Sequence, residues 1–165
     1  PYEDKERIHY GALLHDIGKI SVPEAILMKP GPLTPEEYAV MKKHPEIGAN
    51  IIMPIKQFRY VIPGILHHHE RYDGKGYPRG LKEEEISIDG RMIAVADTFD
   101  AMTADRPYRK GLPYEVAIEE IKKSSGTQFD PKVVSAFLSA YYKGAIITHT
   151  DKEESSNGVV QESKT

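Results

Sequence analysis

The sequence predicts an all-α domain, and three observations predict it. Apolar residues recur at spacings of three and four through roughly residues 4–144, prolines and glycines interrupt those runs where helices begin and end, and the strict alternation of a strand is nearly absent. The first segment, 7–17, sets Ile8, Leu13, Leu14 and Ile17 near one helical face, with Gly18 as the stop. Residues 23–28 read as a short helix before the loop Lys29-Pro30-Gly31-Pro32. Thr34-Pro35-Glu36-Glu37 is a capping box, with Thr34 at the N-cap, Pro35 at the first helical position and Glu37 at the third. That helix runs towards His44, where Pro45 disfavours helical geometry in the residue before it, and a second short helix continues through Ile52.

Residues 58–70 read as helical, with Pro63 as a start or a kink. Between Arg71 and Gly80 the glycines Gly74, Gly76 and Gly80 and the proline Pro78 occur without strand alternation, so this stretch is an ordered loop. Residues 88–104 form the clearest helix, and Ala94, Ala96, Ala101 and Ala104 allow close packing. Pro113 and Pro131 each stand where a first helical turn belongs, with Asp130 as the N-cap of the second. From 148 onward the chain is polar, with only Val159-Val160 as an apolar pair, and reads as a flexible tail because it cannot bury enough surface to offset its ordering entropy. The expected organisation is therefore one domain over 1–147 and a tail over 148–165.

Composition narrows the function. Hydrophobic residues make up 39% and charged residues 28%, and the net charge is −3, so no basic field draws a nucleic-acid polymer. The longest apolar stretches, such as 51–55, fall far short of the ~20 residues of a membrane span, and the charged start of the chain lacks a secretory apolar core. With no cysteine, disulfides, thiolate metal sites and a cysteine nucleophile are excluded. A cytoplasmic protein is the expectation, and any metal must be held by His, Asp or Glu.

Four segments concentrate such residues. His15-Asp16-Ile17-Gly18-Lys19 joins an imidazole to a carboxylate that can bridge two ions, and Lys19 shares a helical face with both. Alone, the pair also reads as a surface hydrogen bond. His44, beside Pro45, alone reads as a loop or capping residue. His67-His68-His69-Glu70 favours metal binding over a merely polar helix end. In Ala94-Val95-Ala96-Asp97-Thr98-Phe99-Asp100, Asp97 interrupts an apolar face, where a carboxylate needs a partner or a metal. A salt bridge to Arg91, Arg106 or Arg109 is the alternative reading, and it stays open for Asp100. Taken together, His15, Asp16, His44, His68, His69 and Asp97 supply four imidazoles and two carboxylates, a donor set suited to Fe, Mn or Zn. Two such ions bridged by Asp16 would activate a water and favour a phosphate ester.

This series resembles an HD-GYP domain, the subgroup of HD-superfamily phosphohydrolases associated with cyclic di-GMP hydrolysis. The match runs in order over roughly residues 10–140, through the His15–Lys19 motif, Leu27–Thr34, Met41–Pro45, His68–Pro78, Arg91–Ala101 and Asp105–Arg109. The resemblance implies an HD-type helical bundle with an ordered Gly-Tyr-Pro loop, the six metal ligands above with Asp16 bridging, and Lys19 on the scissile phosphate. It further implies Tyr77 in the namesake loop, Arg106 and Arg109 on the dinucleotide, and two divalent transition metals, iron or manganese. The implied reaction opens cyclic di-GMP to pGpG, and then to GMP, by attack of a metal-bridging hydroxide. His67 lies outside the matched pair and is expected on a helix surface. An upstream sensor or receiver domain and a signalling-protein partner are the other partners implied.

One departure stands out. Family members take a further Glu from a helix well upstream of the His-Asp pair, and Glu3, Glu6 and His9 are too near to replace it. The domain is thus expected to be N-terminally incomplete, without the ligand of a third metal and with an apolar face left uncovered. Two other readings stay open: an HD phosphohydrolase for another nucleotide, against which the intact Gly76-Tyr77-Pro78 counts, and a non-catalytic signalling module that binds cyclic di-GMP or a protein.

Overall fold

In a computed structural model, residues 2–105 and 109–146 are described. Eight α-helices follow one another: α1 (Tyr2–Leu14), α2 (Glu24–Leu27), α3 (Pro35–Met41), α4 (His44–Ile52), α5 (Ile62–His67), α6 (Ile88–Thr103), α7 (Tyr114–Lys123) and α8 (Pro131–Tyr142). No extended strand occurs among the described residues, and none of their helices is long and apolar enough to cross a membrane. The polar tail expected over 148–165 lies outside the described residues.

Local signals place most boundaries. Thr34 Oγ1 accepts from the Glu37 amide while Glu37 reaches back to the Thr34 amide, which completes the capping box at α3. Ser87 caps α6 through the Gly90 amide, and Asp130 caps α8 through the Lys132 amide. Four expectations need correction. The first helix stops at Leu14, and a 3-10 turn, Ile17–Ser21, follows where Ile17 was expected to continue it. Pro45 lies inside the first turn of α4, where its missing N–H costs nothing, so His44 opens a helix. The segment 58–70 divides into a 3-10 stretch, Lys56–Val61, and α5, which Pro63 starts. Pro113 sits at the N-cap of α7, one position before its first turn.

Two apolar clusters hold the helices. Ala49, Ile52, Val61, Ile62 and Ile65 join α4 to α5, with Tyr10 and Leu14 of α1 packed against them. Val95, Phe99, Ile118, Ile121 and Val134 join α6, α7 and α8. Burying an isoleucine fully contributes about 1.5–3 kcal/mol, and Ile65, Ile118 and Ile121 are almost wholly enclosed. Helix α5 is the link between clusters, because it packs on both α4 and α6. On the flank, Arg7 Nε ties α1 to α6 through the buried Asp89 at 2.8 and 3.0 Å. An apolar groove of about 720 Å³ runs beside α6 and α8, bordered by Ile8, Met92, Phe99 and Phe137.

Candidate metal centre

The ends of α1 and α5, the start of α4 and the middle of α6 converge between the two clusters. His15 and Asp16 follow the last residue of α1, His44 begins α4, His68 and His69 follow α5, and Asp97 projects from α6. One donor atom from each of Asp16, His44, His68 and His69 falls within a sphere where all lie within 4.8 Å of one another. Asp16 spans the group. Its Oδ1 lies 3.3 Å from His44 Nε2 and 3.9 Å from His68 Nε2, while its Oδ2 lies 3.4 Å from His15 Nε2. Asp97 closes the far side, with Oδ1 3.5 Å from His15 Nε2. The six residues singled out for metal are thus brought together.

Their orientation carries chemical information. Three of the rings share one device: Nδ1 of His15, His44 and His68 lies 2.5, 2.8 and 2.7 Å from the carbonyl three residues upstream, of Ala12, Met41 and Ile65. A carbonyl only accepts, so each Nδ1 carries the proton and each neutral ring turns an Nε2 lone pair inward. His44 Nε2 and His68 Nε2 then stand only 3.2 Å apart, and His15 Nε2 and Asp16 Oδ1 are buried without a hydrogen-bond partner. Lone pairs and carboxylate oxygens facing one small volume are what a cation relieves. The donor set fits a divalent metal.

His67 differs from its neighbours. Its Nδ1 accepts from the Ser87 amide at 3.1 Å, so its proton sits on Nε2, the opposite tautomer. It is half-buried against Gly90 rather than on a helix surface, because α6 approaches so closely there that a Cβ on Gly90 would meet His67 Cβ at 2.5 Å. Sequence reasoning missed this support; the Ser-x-x-Gly spacing at 87–90 was its one signal.

Electrostatics sort the centre further. Burial favours a neutral Asp16, but the neighbouring His44 ring and the Lys19 ammonium together outweigh burial and hold its carboxyl well below the ordinary range. Lys19 Nζ donates to Asp16 Oδ2 at 2.5 Å, which places an ammonium at the rim. Asp97 is lowered chiefly by the His15 ring beside it, against burial. Burial opposes charge on His15, yet the nearby Asp97 carboxylate, the Ala12 carbonyl and Asp16 raise it overall.

A prediction about the metal-stripped protein follows from the remaining pair. Burial, then the charge of neighbouring imidazoles, lowers His68 to about 3 and His69 to about 4 from the ordinary 6.5. The unfolded chain therefore takes up protons at these positions below 6.5 while the folded chain does not, so stability falls from there down to about 3. His15, raised, acts with the opposite sign and offsets part of the loss. In a chelator, the thermal midpoint should be flat above about pH 7 and drop as pH falls below about 6. A midpoint that rises on acidification contradicts this account of the two rings.

The loop after His69 is built onto the centre. Tyr77 stacks on the His69 ring, with centroids 4.8 Å apart, and Tyr38 meets it edge-on at 6.1 Å. Burial, then the nearby Tyr38 and carboxylates, raises the Tyr77 hydroxyl, which keeps it a donor. Glu70, buried among these residues, accepts from the amides of Arg79 and Leu81 at 2.7 and 3.0 Å and so folds the loop back on itself. The expected ordered loop is present, and Glu70 is a supporting residue that the sequence did not single out. Arg109 is exposed and gives its Nη2 to the Ala101 carbonyl at 2.6 Å. Arg106 lies outside the described residues.

Comparison with known proteins adds the lineage. A family model described as "HD domain" matches residues 1–133. A relative from Thermotoga maritima named "cyclic di-GMP phosphodiesterase" is 50% identical over 151 residues, covering 89% of this chain and 40% of its own length. Another, from Vibrio cholerae and named "3'3'-cGAMP-specific phosphodiesterase 2", is 39% identical over 137 residues, covering 82% of this chain and 26% of its own. Among solved structures, an HDG"Y"P protein from Bdellovibrio bacteriovorus aligns with a TM-score of 0.63 at 26% identity, over 81% of this chain and 42% of its own. The chain spans less than half the length of each of these proteins.

Proposed function

The chain belongs to the HD domain family, and from that premise we propose that it is the hydrolytic part of a metal-dependent phosphodiesterase that opens cyclic di-GMP to pGpG and then to GMP. In this reading residues 1–147 form the domain, and the reaction takes place in the cytoplasm. The convergence of six N and O donors from four segments supports it most directly. His15, Asp16, His44, His68, His69 and Asp97 would hold two divalent ions, iron or manganese, with Asp16 as the shared ligand. When bound, such ions supply an acidified water and positive charge for phosphoryl oxygens.

The side chains of the chain do the rest. Lys19, held at Asp16, is placed to meet a non-bridging phosphate oxygen as charge gathers there. Tyr77, kept protonated, offers its hydroxyl as a donor in a hollow that His68, His69 and Asp97 also line. Arg106 and Arg109 are assigned to the parts of the dinucleotide that do not react, where guanidinium forks suit phosphate and guanine edges. Elemental analysis after anaerobic purification, paired with product analysis on cyclic di-GMP, tests the proposal. Two ions per chain and release of pGpG are expected. One ion or none in a folded sample removes the paired-metal assignment, and metal-loaded protein that binds the nucleotide without cleaving it supports a signalling module instead.

A further inference from the structure

A hollow of about 360 Å³ opens beside the centre, bounded by His68, His69, Asp97, Tyr77, Thr98 and Gln128. Its volume is in the range of small-ligand sites. Gln128 reaches it from a distant part of the sequence, the turn between α7 and α8. That turn is clamped to the Tyr77 loop: the Tyr72 amide donates to the Gln128 carbonyl at 3.1 Å and the Asp73 amide to the Thr127 carbonyl at 2.8 Å. The next two residues, Phe129 and Asp130, are each 2% exposed, so the backbone on both sides of Gln128 is fixed.

The side chain is fixed as well. Arg71 Nη1 lies 3.3 Å from Gln128 Oε1, and the same guanidinium is braced by two bonds to Asp73, at 3.0 and 2.7 Å. A guanidinium can only donate, so the carboxamide oxygen must face Arg71 and the amide nitrogen must face away. No acceptor among the described residues takes the hydrogens of that nitrogen. Gln128 therefore presents donors alone to the hollow. Both purines carry the N7 acceptor, but beside it guanine has a second acceptor, O6, where adenine has a donor amine. A fixed donor matches the oxygen and confronts the amine.

We propose that Gln128 reads a base of the bound cyclic dinucleotide as a hydrogen-bond donor to guanine O6, and so sets a preference for guanine over adenine. The inference rests on the cyclic-dinucleotide reading above. It is tested with the full, metal-loaded chain and three nucleotides: cyclic di-GMP, the mixed guanine–adenine cyclic dinucleotide, and cyclic di-AMP. Both Kd and kcat/KM are measured. Gln128→Glu replaces the donor nitrogen with an acceptor and should lower the preference for cyclic di-GMP at least about tenfold, with the loss falling on the guanine substrate. Gln128→Met keeps length without either function and should move the ratio towards unity at unchanged helix content.

The outcomes separate the two ideas. A wild-type ratio kept within about twofold in both variants, with cleavage intact, overturns the role of Gln128 and leaves the hydrolase standing. Guanine-selective binding that both variants lose, without any cleavage, supports Gln128 and overturns the hydrolase. Wild-type protein that binds none of the three nucleotides overturns both.

Discussion

Asp16→Ala should reduce turnover of cyclic di-GMP by at least about a thousandfold and empty the centre of metal, while far-UV circular dichroism stays close to wild type. Asp16 is the residue whose two oxygens face different imidazoles, Oδ1 towards His44 and Oδ2 towards His15. Its removal takes away a donor from both halves and leaves the Lys19 ammonium without its partner at the rim. The folded state loses little, because the side chain is about one-third exposed and fills no core volume. Asp16→Asn keeps the size and one oxygen but not the charge, so it should retain part of the metal and little of the activity. Full metal content and normal turnover in the alanine variant would remove Asp16 from the centre.

The second large effect falls on a residue with no side chain. A Cβ at Gly18 would stand 1.9 Å from the His44 carbonyl oxygen and 2.6 Å from the Gly48 nitrogen, and both are backbone atoms of α4. Backbone inside a helix cannot step aside as a flexible side chain can. Gly18→Ala should therefore cost about 3 kcal/mol or more in urea unfolding, or displace His44 and lower metal content in the protein that still folds. Ile20→Ala, in the same turn but at a side chain 80% exposed, should change stability by less than about 0.5 kcal/mol. Equal effects at the two positions would show that the turn tolerates general loosening and that the close contact is unimportant.

Gly18 also shows where the sequence stopped being legible. As a helix stop it was read from local rules, and the first helix does end before it. Its actual constraint comes from α4, some thirty residues away, and no local pattern carries that. The same division holds throughout. Caps at Thr34 and Asp130 were visible because a cap is a contract among neighbours. The donors at His15, Asp16, His44, His68, His69 and Asp97 were visible only as a series: singly, the His15-Asp16 pair and His44 read as surface or capping residues, and it is their order along the chain that resembles the family. The support of His67 under Ser87, the fold-back of Glu70 onto Arg79 and Leu81, and the reach of Gln128 to Arg71 were not visible, since each depends on which elements come to lie side by side.

The three upstream carbonyls that pin His15, His44 and His68 have a consequence for how ions come and go. Rings anchored in this way lose their rotational freedom when the helices form, not when an ion arrives. The socket exists before its contents. Loading then requires little more than stripping water from the ion, and unloading leaves a scaffold still held by the two apolar clusters. A centre of this kind does not choose its ion by refolding around it. A pre-set group of nitrogen and oxygen donors would instead discriminate among divalent ions through their intrinsic affinities for those donors and their free concentrations.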